Sequence, residues 1–177
     1  MPEFVIRDAV MGDFDRWRST YAEVASERRW IGGEEAPPIE AMKPRFESDV
    51  EDPDRLMVVA DTEADGVVGG LFAAFERRGV AHIGMQMLEP WRGKGVGSAL
   101  MDRCLAWCGE KNAHKVTLEV WPHNGRAIAL YRKFGFEAEG RLKRHYRRQN
   151  GELWDAVSMA LVLDTTAPGS PYPDELS

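Results

Sequence analysis

The stretch Arg92-Gly93-Lys94-Gly95-Val96-Gly97 decides how the rest of this chain is read. It lies between an apolar run that ends at Leu88 and an amphipathic segment that begins at Ser98. Glycines at 93, 95 and 97 let the backbone turn tightly and bring successive N–H groups to one point, where the dipole of the following helix adds positive potential. Such a turn suits an anion of linked phosphates. Alone, the hexapeptide fits a plain glycine-rich connection between strand and helix equally well, so the flanking sequence has to separate the two.

Upstream of the loop, residues 80–88 read as a strand, 67–76 as its hairpin partner and 56–60 as the strand before that, joined at the Asp65-Gly66 turn. Three antiparallel strands in sequence are expected. Ahead of them come a short strand over 4–7, a helix capped by Asp13 and running to Arg29, a loop from Trp30 to Pro38, and a second helix over 39–50. The first of these helices turns Phe14, Trp17, Tyr21 and Val24 to its apolar face. Downstream, a helix over 96–111 points Leu100, Cys104, Leu105 and Cys108 inward, 116–120 is a strand, and 127–134 is a helix closed by Gly135. Residues 136–148 and 153–163 form a final hairpin about Asn150-Gly151. The reading is a single domain over 1–163 with a disordered tail over 164–177, where proline is frequent and no apolar period survives.

The bulk numbers agree with one soluble domain: 177 residues, 44% hydrophobic and 29% charged, with no apolar run of membrane-spanning length. The first residues lack the basic start and apolar stretch of a secretion signal, so a cytoplasmic protein is expected. Cys104 and Cys108, four apart on one helix face, read as buried thiols; a metal would need two more soft ligands, and His114 is the candidate nearby, so no metal site is expected. A net charge of −6 argues against nucleic acid as a partner. The basic run from Arg141 to Arg148 reads as mostly solvated charge on an alternating segment.

The second informative stretch is Leu118-Glu119-Val120-Trp121-Pro122-His123-Asn124-Gly125-Arg126-Ala127, continuing through Tyr131 to Gly135-Phe136. With the glycine loop one helix before it, and an antiparallel meander before that, it resembles the GNAT superfamily of N-acetyltransferases, with some likeness to ribosomal-protein alanine N-acetyltransferases. The family's loop pattern, Arg or Gln, two residues, Gly, one residue, Gly or Ala, is met by Arg92, Gly95 and Gly97. The later pattern is met by Asn124, Ala127, Tyr131, Gly135 and Phe136. The resemblance is clearest over residues 80–163. One departure stands at the loop entry, where many members carry proline and this chain has Glu89 followed by Pro90.

The resemblance implies an α/β (α+β) GNAT fold: a mixed, mostly antiparallel sheet of six or seven strands with flanking helices. It implies acetyl-CoA as acetyl donor and a primary amine as acceptor. The pyrophosphate would sit on Arg92, Gly93, Lys94, Gly95, Val96, Gly97 and Ser98, and the pantetheine arm along Met87 and Leu88, with an N–H there for the oxyanion. Tyr131 matches the tyrosine the family places beside the sulfur as general acid, and Asn124 a residue that supports the cofactor or the neighbouring strand. Strand alternation puts Leu118 and Val120 on one face and Glu119 on the other, which makes Glu119 the best-placed base for the ammonium proton. Glu119 on a solvated sheet face or in a salt bridge fits the sequence as well, and His82, Glu76, His123 or a water chain are fallbacks. Trp30, Glu34 and Glu35 are candidates to receive a cationic amine, through an aromatic face and paired carboxylates.

Small amines (amino acids, polyamines, amine antibiotics) are the first expectation for the acceptor, with a protein N-terminus as the alternative. From another class, a domain that binds acyl-CoA without turnover stays open. A Rossmann-type dinucleotide binder shares Gly93, Gly95 and a later carboxylate, but Ser98 stands where the third small residue should be glycine or alanine, and the loop follows an antiparallel meander. A Walker loop needs a Gly-Lys-Ser/Thr that is missing here. A homodimer, with Trp154, Val157 and Met159 of the last hairpin taking part, is open on the family's habit alone.

Overall fold

A computed structural model describes residues 3–76 and 78–171. The last six residues of the expected disordered tail, 172–177, lie outside the described residues. In chain order the elements are β1 (Val5–Asp8), α1 (Phe14–Ser26), α2 (Ile39–Glu51), β2 (Arg55–Thr62), β3 (Gly66–Glu76) and β4 (Val80–Met87), then α3 (Val96–Glu110), β5 (Lys115–Val120), α4 (Gly125–Lys133), β6 (Glu137–Arg147) and β7 (Leu153–Val162). Seven strands form one sheet in the order β1-β2-β3-β4-β5-β7-β6. Every neighbouring pair is antiparallel except β4 and β5. The meander and the final hairpin are therefore as expected, and the α3 crossover supplies the single parallel contact.

Helices cover both faces, so β2 is buried on each side and reads as a continuous apolar run. Leu56, Val58 and Ala60 face the α3 layer with Leu100, Met101, Cys104 and Cys108, while Met57 and Val59 face Phe14 and Phe46 of α1 and α2. Both cysteines are buried free thiols.

Asp13 departs from its expected role. It precedes α1, but its carboxylate caps nothing there: a 3₁₀ turn over Met11–Asp13 leads into the helix, and no side-chain cap forms. Arg7 on β1 donates to both Asp13 oxygens at 2.7 Å, and Val10 N donates at 2.8 Å. The Arg7 hydrogen bond holds the Asp13 carboxyl below the usual carboxylate range. A depressed folded pKa means stabilisation that is present above the unfolded value, about 3.9, and lost as pH falls through the folded one. Asp13→Asn should cost about 1–2 kcal/mol at neutral pH, with the deficit shrinking below about pH 4, as read from urea midpoints at both pH values.

The functionally decisive feature is where β4 and β5 stop pairing. Their register runs Val80 to Lys115, Ala81 to Val116 and His82 to Thr117, and no further. Beyond it, 83–87 pairs only with β3 and 118–120 only with β7. Two halves of the sheet part there, and the backbone groups lining the gap have no ladder partner.

Candidate functional site

The gap opens into a continuous cleft of about 1710 Å³. Ligand pockets are commonly about 300–1,000 Å³, so there is room for two substrates. Its floor is read from strand register. Leu88 N donates to Val68 O at 3.0 Å, which makes Leu88 and Val68 a hydrogen-bonded pair and leaves alternate residues of β4 directed away from β3. Met85 and Met87 thus present their N–H groups to the gap. This corrects half of the expectation for the end of β4: the Leu88 N–H is already committed, and Met87 carries the free donor.

At the mouth of the gap, Glu89–Trp91 makes a 3₁₀ turn and the glycine loop follows. Gly93 has φ +75° and Gly95 φ +88°, conformations that L side chains rarely adopt, and Gly95 is the N-cap of α3. Gly97 serves another purpose: a Cβ there would meet Leu130 Cδ2 at 3.0 Å and Met85 Sδ at 3.5 Å, so its absence lets α3 approach α4 and β4. The first-turn N–H groups of α3, including those of Gly97 and Ser98, have no intrahelical acceptor and face the loop mouth. Gly93, Gly95, Gly97 and Ser98 line the cleft. Lys94 and Val96 do not: the Lys94 ammonium lies 5.4 Å from the Trp91 ring centroid, and the Val96 side chain is in the core.

Arg92 is employed structurally. Its Nε donates to Met87 O at 3.0 Å, and its terminal nitrogens bind the Glu27 carboxylate at the end of α1. That hydrogen bonding, with a smaller contribution from Trp30, holds the Glu27 carboxyl below the usual range. Asn124 caps α4 by accepting from Ala127 N at 3.2 Å and lines the cleft from there.

Tyr131 on α4 is 7% exposed, lines the cleft and packs on Phe136 in the layer on the α3 side of the sheet. Burial pushes its phenol up to about 12. It therefore holds its proton throughout the neutral range. Glu119 reaches the cleft from the opposite face, since Leu118 and Val120 point into the α3 layer. Its Oε2 accepts from Tyr146 Oη at 2.5 Å, with His145 Nε2 at 3.9 Å. Burial first, and then the Glu119 hydrogen bond and charge, push the Tyr146 phenol up to about 12.

Tyr146 escaped the sequence reading, which took the 141–148 run as mostly surface. An irregularity between Leu142 and Tyr146, with Arg144 at φ +51°, turns the strand and aims Tyr146 at Glu119. The only advance signal was an aromatic residue among the basic ones. Arg148 departs from the expected solvated run more sharply, being 4% exposed. Of the fallback bases, His82 lies where β4 and β5 are still paired, beside Thr117 Oγ1 at 3.3 Å, and Glu76 ends β3. His123 lines the cleft, but its Nε2 is bound to Arg29 O at 2.8 Å.

Trp30 also lines the cleft, its ring beside His123 and under the Arg29 and Arg92 guanidinium groups. Glu34 and Glu35 have a different employment from the one expected. Gln149 N donates to Glu34 Oε1 at 2.8 Å, Gln149 Nε2 to Glu35 Oε1 at 3.1 Å, and neither glutamate lines the cleft. They fasten a loop instead of facing a ligand.

Comparison with known proteins agrees with this geometry. The model of the acetyltransferase (GNAT) family matches residues 17–136. The chain is 37% identical over 110 residues to the L-amino acid N-acetyltransferase AaaT of Escherichia coli, covering 59% of this chain and 67% of that protein. It is 28% identical over 119 residues to the ribosomal protein uS5 alanine N-acetyltransferase of Escherichia coli, covering 67% of this chain and 58% of that protein. Among solved structures, a GNAT superfamily phosphinothricin acetyltransferase from Sinorhizobium meliloti, in complex with acetyl-CoA, superposes with TM-score 0.82 at 26% identity over 97% of each chain. With the glycine loop, the parted strands and a family match over residues 17–136, the chain belongs to the GNAT family of acetyltransferases.

Proposed function

We propose that this protein transfers the acetyl group of acetyl-CoA to the primary amine of a small molecule by direct attack. The observation that carries the reading is the convergence of Tyr131 and Glu119 on the β4–β5 gap from opposite faces of the sheet. The gap's free N–H groups suit the amides of a pantetheine arm, and the α3 N-terminus with Gly93, Gly95, Gly97 and Ser98 suits a pyrophosphate. Arg92 contributes by fixing the end of β4 through Met87 O, not by binding phosphate itself.

In the reaction, the Glu119 carboxylate accepts a proton from the ammonium and the freed amine attacks the thioester carbonyl. Negative charge develops on the carbonyl oxygen, and the Met87 N–H, directed into the gap, is the donor available to stabilise it. Collapse breaks the carbon–sulfur bond, Tyr131 Oη gives its proton to the departing thiolate, and the new amide nitrogen sheds its second proton to solvent, from which Tyr131 is reprotonated and to which Glu119 releases its own. Tyr146 holds the Glu119 carboxylate toward the gap. Trp30 forms part of the acceptor wall, with His123 behind it.

An amino acid is the first acceptor to test, because a relative of that specificity shares 37% of 110 residues. A protein N-terminus is the second reading, favoured by the ribosomal-protein relative. Thiol release from acetyl-CoA should be followed against amino acids, polyamines, aminoglycosides and short peptides. Release with a small amine and little with peptides supports the reading; the reverse favours the N-terminal one. Saturable acetyl-CoA binding with no release from any acceptor would leave a domain that binds acyl-CoA without turnover.

The loop makes its own prediction. A β-branched side chain at φ +88° costs about 1–2 kcal/mol, and the displaced N–H groups lose a comparable share of anion binding. Gly95→Val should raise the KM for acetyl-CoA by about tenfold or more while leaving the KM for the amine nearly unchanged.

A further inference from the structure

Arg148 directly follows β6, a strand of mostly exposed residues, yet it is 4% exposed. Its guanidinium lies 4.4 Å from the Trp154 ring centroid and 5.5 Å from that of Trp121. Within that aromatic slot Nη1 donates to Gly32 O at 3.0 Å, Nη2 donates to Arg28 O at 3.2 Å, and Nε lies 3.3 Å from Glu34 Oε1. A buried cation with two carbonyls, one carboxylate and two indole faces around it is fully employed. All of that bonding is spent on the 28–34 loop.

The same loop is attached at its other end to the opposite half of the sheet. Glu27, just before it, binds Arg92, and Arg92 binds Met87 O at the tip of β4. Gly33 presses against α1 so closely that a Cβ there would come within 2.1 Å of Tyr21 Oη. His123, beyond β5, donates to Arg29 O. The loop thus runs from the β4 side to the β5–β7 side, across the region where the two halves part, on the face that carries Glu119. Trp30 and Gly32, which line the cleft, are held between those two anchorages.

We propose that Arg148 is a positioning residue that sets acceptor size: by fastening the 28–34 loop across the acceptor side of the cleft, it admits small amines and keeps out a polypeptide N-terminus. The proposal rests on the acetyl-transfer reading above. Lysine cannot replace it, because one ammonium cannot reach two carbonyls and a carboxylate in the planar fork geometry.

The test uses the full chain with three variants: Arg148→Met, Arg148→Lys, and Arg148→Met combined with Glu34→Gln, which leaves no orphan carboxylate. Hydrogen–deuterium exchange is read over 28–35 with α3 as internal control, alongside steady-state kinetics with the preferred small amine and with a short peptide. In all three variants, exchange over the loop should speed by about tenfold while α3 is unchanged. The KM for the small amine should rise by about tenfold, with kcat and the KM for acetyl-CoA within about twofold, and the peptide-to-amine ratio of kcat/KM should rise by about tenfold. Unaltered loop exchange, or a loosened loop with an unaltered peptide-to-amine ratio, would overturn the proposal. Should Arg148→Met also expose α3, the double variant carries the comparison. If wild-type protein transfers acetyl to nothing, the acetyl-transfer reading falls, while loop exchange still decides whether Arg148 is the fastener.

Discussion

Tyr131→Phe is expected to lower kcat by about 10²–10⁴-fold while leaving acetyl-CoA binding within a few-fold, because in the proposed reaction the phenol oxygen is the proton donor, while the ring is the packing. The two roles separate cleanly here. The ring rests on Phe136 in the core, and the hydroxyl makes no hydrogen bond among the described residues, so its removal leaves no buried partner unsatisfied. Thermal stability should therefore change little, which distinguishes the loss of an acid from the loss of a fold. A phenol pushed up to about 12 by burial is still protonated when the thiolate forms. A substrate whose leaving thiol is more acidic needs less help, so an acetyl thioester of an aromatic thiol should recover much of the lost rate. If kcat in Tyr131→Phe stays within a few-fold of wild type, protonation of the leaving group comes from elsewhere.

Glu119→Gln carries the second large effect, a fall of about 10²–10³-fold in kcat/KM for the amine at neutral pH. Glutamine is of similar size and can still accept from Tyr146, so the site's shape is kept and only proton acceptance is lost. The pH profile gives the sharper reading. In the variant the rate should follow the free-amine fraction and keep climbing with pH, where the wild type levels off. Tyr146→Phe should sit between the two, about tenfold down, since the Glu119 carboxylate remains but loses the hydrogen bond that aims it. A variant profile that parallels the wild type at every pH would remove Glu119 from the role of base.

Much of the fold was legible because its signals are local. The Asp65-Gly66 turn, the alternation through 116–120 and the glycine loop each declare themselves within a few residues, and the observed elements begin and end within two residues of the expected bounds, apart from the first helix, which stops at Ser26. Tyr131, Glu119 and the loop glycines, picked out by a family pattern that fixes their order, all line the one cleft. What escaped is non-local. Asp13 looks like a cap in sequence, but Arg7 claims it across a turn. Arg92 looks like a phosphate ligand until Glu27 and Met87 O are seen around it. Glu34 and Glu35 look free until Gln149 arrives from the far end of the chain. Tyr146 depends on a strand irregularity that no composition reveals. The 28–34 side of the cleft is held almost wholly by such distant pairs, whereas the glycine loop and α3 form one contiguous stretch.

That asymmetry has a consequence for how the molecule is made. The bonds from Arg148 to Gly32 and Arg28 close over 116 and 120 residues of chain, while the glycine loop, α3 and α4 are laid down together. Long-range contacts carry a closure entropy that must be met before they stabilise anything, so they form late. During synthesis the 28–34 segment therefore waits, unfastened, until residue 148 is made. A chain interrupted before that point would also lack β7, the strand that pairs with β5 at the edge of the gap, so the cleft itself would be incomplete.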